Sequence, residues 1–382
     1  MTIGTIARAG FVCLSLCAAP AMAQAAEAEA APALVNGEVA YIFNTLLFLI
    51  GGFLVMWMAA GFAMLEAGLV RTKNVSVQCA KNIGLYSIAG LMFWLTGYSL
   101  MYSGVDGGYV GTLAIYTMQG VGEADLGTGY SVASDWFFQM VFCATTASIV
   151  SGTIAERIKL SPFFIFVAIL TGFIYPVTGS WEWGAGWLDG LGFSDFAGST
   201  LVHSVGGWAA LTGALIVGPR LGRYVGGRVN VMPGSSIPLA TLGTFILWLG
   251  WFGFNGASQL AMGTIGDVSD VSKIFVNTNM AAAAGVVVAM VLTHVLYKKL
   301  DVTMALNGAL AGLVAITAEP LTPTIQMAVL IGGIGGAIVV FAVPMLDKLR
   351  IDDVVGAIPV HLLAGIWGTL AVPLTNGDAS FG

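Results

Sequence analysis

Apolar residues fall along this chain in long blocks, not in the alternation of a half-buried strand. A block of about 20 mostly apolar residues crosses a bilayer as a helix. Ten such blocks are legible after the first thirty residues, near 41–69, 82–104, 133–154, 161–179, 198–218, 237–258, 274–296, 303–319, 324–346 and 354–374. The eighth is short and rich in Gly and Ala. The pattern predicts an all-α membrane protein with ten spanning helices.

Composition agrees. Only 9% of the 382 residues are charged and 57% are apolar, against roughly 25% charged in a soluble domain. Such a chain cannot clothe a water-facing surface, which excludes a soluble enzyme. The 52 glycines suit close helix packing in lipid. The net charge of −6 sits in the loops, and no basic patch points to nucleic acid.

The loop charges test the helix count. With the N-terminus outside, the inner loops hold Arg71, Lys73, Lys81, Arg157, Lys159, Arg220, Arg223, Arg228, Lys298, Lys299, Lys348 and Arg350. Those are twelve of the fourteen basic residues, leaving Arg8 and Lys273. Outer segments carry acids, among them Asp106, Glu123, Asp125, Glu182, Asp189, Asp267 and Asp270. Every inner loop obeys the positive-inside rule, and one miscounted span would have inverted all that follow. Glu156 and Arg157 are expected in inner-face ion pairs, and Glu66, near the inner end of the first span, in a packing or loop contact.

Ahead of the spans, Arg8 precedes an apolar stretch from Ala9 to Ala19, and Ala21-Met22-Ala23 supplies small residues for cleavage. Residues 1–23 read as a signal peptide, 24–39 as a periplasmic segment and 40–382 as the membrane domain. A short first membrane helix is the competing reading. Cys13 and Cys17 would leave with the peptide, and Leu16 before Cys17 argues against a lipoprotein site. Cys79 and Cys143 have neither disulfide-framework nor metal-ligand spacing. No nucleophile or metal motif appears, so neither catalytic residues nor a metal site are expected.

A weak repeat links the two halves. "VHSVGGWAALTGAL" starts at Val202 in the fifth block and "VHLLAGIWGTLAV" at Val360 in the tenth. Each carries His second and Trp five or six residues after it. The fifth span runs out to in and the tenth in to out, as in an inverted five-helix repeat. His203 and His361 then occupy equivalent places and would meet near the midplane. Desolvation penalises a charged ring there. Each neutral ring keeps one donor and one acceptor nitrogen, enough to contact a small polar guest or relay a proton. Ionisable groups inside a membrane usually mark a pathway, although each ring would also serve to bond a neighbouring helix. His294, without a repeat partner, reads as structural.

Several motifs in order resemble the ammonium transporter (Amt/Mep/Rh) family, its Amt branch in particular. They are "GLVRTKN" at 68–74, "GTIAERI" at 152–158, Asp195 to Ser199 followed by Val202-His203, Gly206-Gly207 and Gly218-Pro219-Arg220, "GWFGFNGAS" at 250–258 and "DDVVGAIPVH" at 352–361. The resemblance runs from about residue 40 to the end. It implies an ammonium transporter-like fold, no cofactor, and a homotrimer in the bacterial cytoplasmic membrane with a pore in each subunit. It also implies an outer recruitment site of Trp183, Phe138 and Ser258, a gate of Phe142 and Phe254 below it, and the histidine pair His203 and His361. Asp195 matches an acid that supports the site, here as a cap of the fifth span.

The chemistry is coherent. An indole face attracts a compact cation by roughly 0.5–2 kcal/mol, and a serine oxygen accepts an N–H bond that potassium does not offer. Two phenyl rings help strip water. Carrying an intact cation through an apolar lumen is costly, and losing a proton removes most of that cost. Each residue also has a plainer role: Trp183 in an interfacial belt, the phenylalanines as packing, Ser258 bonding its own helix.

Family members usually have an eleventh span and a cytoplasmic tail, and the chain stops at Gly382. Both are expected to be lacking from this stretch, either altogether or because it is a fragment of a longer protein, which weakens the expectation of a PII-type regulatory partner at the inner face. Two rival readings stand open: the membrane part of an ammonium sensor, and a haem-binding electron-transfer subunit using the two histidines as ligands.

Overall fold

The computed structural model describes residues 37–118 and 125–377. The signal peptide expected over 1–23, with Cys13 and Cys17, and residues 24–36 of the following segment lie outside them.

Ten helices follow in chain order: α1 (Gly37–Leu69), α2 (Thr72–Tyr102), α3 (Val132–Thr153), α4 (Leu160–Ser180), α5 (Ser199–Val217), α6 (Ile237–Gln259), α7 (Ile265–Tyr297), α8 (Val302–Ile316), α9 (Ile325–Lys348) and α10 (Ile358–Thr375). Eight are long and apolar enough to span a membrane; α3 is less apolar and α8 shorter. Both exceptions have one cause. Residues 140–153 of α3 and 307–316 of α8 are buried without a break, so these helices meet protein on all sides and need no lipid-facing stripe. The outer helices do carry one, with Ile83, Ile165, Ile216 and Phe245 exposed.

Three helices start earlier than hydropathy suggested. The α7 helix begins at Ile265, where Thr264 and Asp267 form a reciprocal capping box. That device fixes a helix start whatever the hydropathy of its first turns. In α2, the polar positions Gln78, Lys81 and Asn82 are buried against α1 and α3. Lys81 is therefore a residue of the helix interior and not of an inner loop. The α1 helix starts at Gly37, a turn before the expected position.

The halves cross as an inverted repeat requires. Both histidines sit in a wide π-helical turn that opens a span, Ser199–Ser204 in α5 and Ile358–Leu363 in α10. Four residues past each His is a glycine. A Cβ on Gly207 would stand 2.6 Å from the Leu362 nitrogen, and one on Gly365 2.6 Å from the Ser199 oxygen. The two helices thus touch backbone to backbone on both sides of the pair, as small residues permit.

On the inner face, the loops are tied by charge. Arg220 grips Asp352 through Nε and Nη2, both at 2.9 Å, and reaches Glu156 at 3.3 Å. Arg71 also pairs with Glu156, and Arg157 with Asp352. The expected ion pairs of Glu156 and Arg157 are present, each with a different partner.

Candidate functional site

Five rings descend from the outer end toward the centre. Trp183, in the α4–α5 loop, meets Phe142 edge to face at 6.1 Å. Phe142 of α3 stacks on Phe254 of α6 at 4.0 Å and 25°. Phe254 stacks on His203 at 5.2 Å, and His203 on His361 at 5.2 Å and 25°. Phe138, one turn above Phe142, packs against it at 4.8 Å.

Above the Phe142–Phe254 stack lies a cavity of about 300 Å³. Trp183, Phe138, Phe142 and Ser258 line it, so the outer-site residues expected from sequence share one chamber. Ser258 donates its hydroxyl hydrogen to the Phe254 carbonyl at 2.7 Å. A hydroxyl has one hydrogen and two acceptor lone pairs; with the hydrogen committed, the oxygen faces the chamber as an acceptor only. Trp183 is held by an Nε1–H bond to the Asp195 carbonyl at 2.9 Å.

Asp195 does not face the chamber. Its carboxylate accepts the N–H groups of Gly198, Ser199, Thr200 and Leu201 at 2.7–3.0 Å, at the start of α5. Four orphan donors at a helix start are satisfied by one side chain. Burial pushes this carboxyl up to about 6 against the pull of those four donors. Through its carbonyl and its cap, Asp195 sets both Trp183 and the entry of α5.

The histidine rings meet directly, Nδ1 to Nδ1 at 3.1 Å. One nitrogen must donate and the other accept, so the two neutral rings hold opposite tautomers. The distance leaves no slot for a porphyrin plane between them, which removes the geometry a haem ligand pair requires. Both rings are almost completely buried, and the Nε2 of His203 has no hydrogen-bond partner among the described residues. Trp251 also stacks on His203, at 5.0 Å, and is anchored by Thr317. Below the pair, His361, Phe62, Leu310 and Val355 line a narrow cavity. Asn307 and Val355 continue from it into an inner cavity of about 330 Å³.

Sequence reasoning missed several chamber residues. Asp135 lines it, is buried, and accepts from the Tyr98 hydroxyl at 2.7 Å. Gln139, Tyr102 and Tyr130 also line it. A signal existed: Asp135, Phe138 and Phe142 recur at helical spacing on α3. Trp251 was visible only as part of a motif.

Residues 46–379 match a family described as the Ammonium Transporter Family. The chain is 44% identical over 339 residues to a putative ammonium transporter of Synechocystis, sll1017, covering 88% of this chain and 76% of that protein. It is 45% identical over 347 residues to the ammonium transporter Amt2 of Archaeoglobus fulgidus, covering 87% and 71%. A solved structure titled "Sensor Amt Protein" superposes with a TM-score of 0.84 at 37% identity, covering 89% of this chain and 84% of that one. Candida albicans Mep2 superposes at 0.77 with 28% identity, covering 89% and 74%.

Proposed function

This chain belongs to the ammonium transporter family, and we propose that it moves ammonium across the bacterial cytoplasmic membrane by separating the cation from its proton. The carrying observation is the run of stacked rings that ends in a directly bonded histidine pair, with one cavity above and another below. Ammonium enters the outer chamber, where the Trp183 face and the acceptor oxygen of Ser258 hold it. Phe138, Phe142 and Phe254 exclude water. Past the stacked phenyls the cation would cross an apolar path at high cost. Release of a proton lets neutral ammonia pass along the imidazoles, while the proton crosses the Nδ1–Nδ1 bond by exchange of tautomers. Names of the relatives describe transporters, which fits a non-enzymic role. The proposal includes a mature N-terminus in the periplasm, a homotrimer, and a PII-type regulatory protein as the partner to seek at the inner face.

The test is ammonium-evoked current from proteoliposomes holding the full chain. Replacing both His203 and His361 with Ala should abolish ammonium-selective current while the protein still folds. Current and selectivity untouched by both replacements would refute the paired-imidazole route. A second reading, ammonium sensing, is favoured by the likeness to a structure titled as a sensor. It predicts ammonium binding with negligible sustained current in the parent chain.

A further inference from the structure

One buried acid on the path has no part in the mechanism above. Glu66, in the last turn of α1, is 1% exposed. Its Oε2 accepts from Gln78, from Asn82 at 2.6 Å and from Ser151 at 2.8 Å. Its Oε1 has no hydrogen-bond partner among the described residues. Buried polar atoms are nearly always paired, so one left bare calls for an explanation.

The bare oxygen has a direction. A Cβ built on Gly152 would lie 3.2 Å from Oε1 and 2.4 Å from Val355 Cγ2. Glycine there leaves the oxygen unobstructed. Glu66, Val355 and His361 line the same narrow cavity, which has room for about one water molecule. Lys81 offsets the carboxylate's charge without filling Oε1, since its Nζ donates to the Ser151 carbonyl at 2.6 Å. Three donors therefore hold one carboxylate oxygen fast, and the other is left unpaired beside Gly152, on a side chain that shares its cavity with His361.

We propose that Glu66 is the proton-transfer station at the inner end of the conduit, taking the proton that leaves the histidine pair through its free Oε1. The inference rests on the transport reading above. A proton that has reached the pair makes one ring an imidazolium. His361 gives a ring proton to Oε1 through one water in the shared cavity; both rings are again neutral and the carboxylate becomes a carboxylic acid. The acid O–H then protonates the lone pair of an arriving ammonia. Ammonium leaves through the inner cavity and the carboxylate is restored. No electrons change hands, and one positive charge has crossed per ammonium.

The decisive variant is Glu66→Gln in the full chain. The amide oxygen can keep the three donors, while its NH2 cannot take a proton. Ammonium-evoked charge movement in proteoliposomes should fall about 10²-fold, as for loss of a positioned proton-transfer group, with thermal melting unchanged. Glu66→Asp should restore part of the current. The double variant Glu66→Gln, Lys81→Met should stay low, which separates lost proton transfer from an unbalanced lysine. Current from Glu66→Gln at the parent level overturns the inference. So does joint loss of current and thermal stability that Glu66→Asp does not repair, since the role is then structural. A parent chain that carries no current sinks the transport reading instead. Glu66 is then judged by infrared spectroscopy: a carboxyl stretch that appears in the parent on adding ammonium and is missing from Glu66→Gln supports the station, and its absence from the parent refutes it.

Discussion

Ser258 shows how one hydrogen decides what a side chain can recognise. Its hydroxyl proton is spent on the Phe254 carbonyl, so the oxygen offers the chamber only lone pairs. That favours a guest with N–H donors over a bare metal cation of equal charge. A hydrogen bond to a charged group is worth about 1.5–3 kcal/mol. Part of that is recovered by water in a partly open chamber. Ser258→Ala should therefore raise the ammonium concentration for half-maximal current by about tenfold, with little change in maximal current. Ser258→Thr should restore it, because the hydroxyl survives. An unaltered half-saturation point in the alanine variant would show that the oxygen does not contact the cation. Asp195 illustrates the opposite case, an acid near the site whose carboxylate is wholly occupied by four backbone donors.

At the scale of helices, the crossing of α5 and α10 carries the histidine contact. Gly207 leaves room for the backbone of Leu362, and any Cβ there meets a peptide nitrogen at 2.6 Å, which cannot swing aside. Gly207→Ala should push the spans apart. Overpacking of this kind costs about 1–3 kcal/mol, and it would also break the 3.1 Å contact between the rings. Lower thermal stability together with lost current is expected. Gly90→Ala is the control, since its Cβ would meet only the Met140 sulfur at an ordinary 3.7 Å. If Gly207→Ala melts and conducts like the parent, the close crossing is dispensable.

Much of this scale was legible in the sequence, and the reasons are specific. All ten spans were found because apolar length is a strong signal. The repeat was found because each copy places a His second and a Trp five or six residues after it. What hydropathy misplaced were helix starts set by capping, as at Thr264, and polar stretches buried inside the protein, as at Gln78 to Asn82. The same blindness hid Asp135 and gave Glu66 a bland role. An acid in a span is ambiguous until its neighbours are known, and those neighbours lie 12, 16 and 85 positions away along the chain.

For the whole molecule, the halves are locked by charge at the inner face. Arg71, Glu156 and Arg220 belong to the first half, Asp352 and Asp347 to the second, and Arg220 and Arg223 bridge them. Burial alone would raise the Glu156 and Asp352 carboxyls. Hydrogen bonds and charge from Arg71 and Arg220 outweigh it for Glu156, and those from Arg220 and Arg157 for Asp352, so both are held below the ordinary carboxylate range. A folded-state value below the unfolded one stabilises the fold above the unfolded value of about 4 and loses that contribution as pH falls through the lower, folded one. The lock should therefore hold unchanged from about pH 5 to 8 and fail only in stronger acid. Asp352→Asn strips countercharge from guanidinium groups whose side chains are 4% and 6% exposed. Breaking a buried pair from one side costs about 3–5 kcal/mol. Melting followed from pH 3 to 8 should show the variant well below the parent at neutral pH, with the gap narrowing in acid as the parent's own Asp352 takes up a proton. Superimposable curves at neutral pH would mean that the halves are held by helix packing alone and that the inner charges serve only to orient the chain in the membrane.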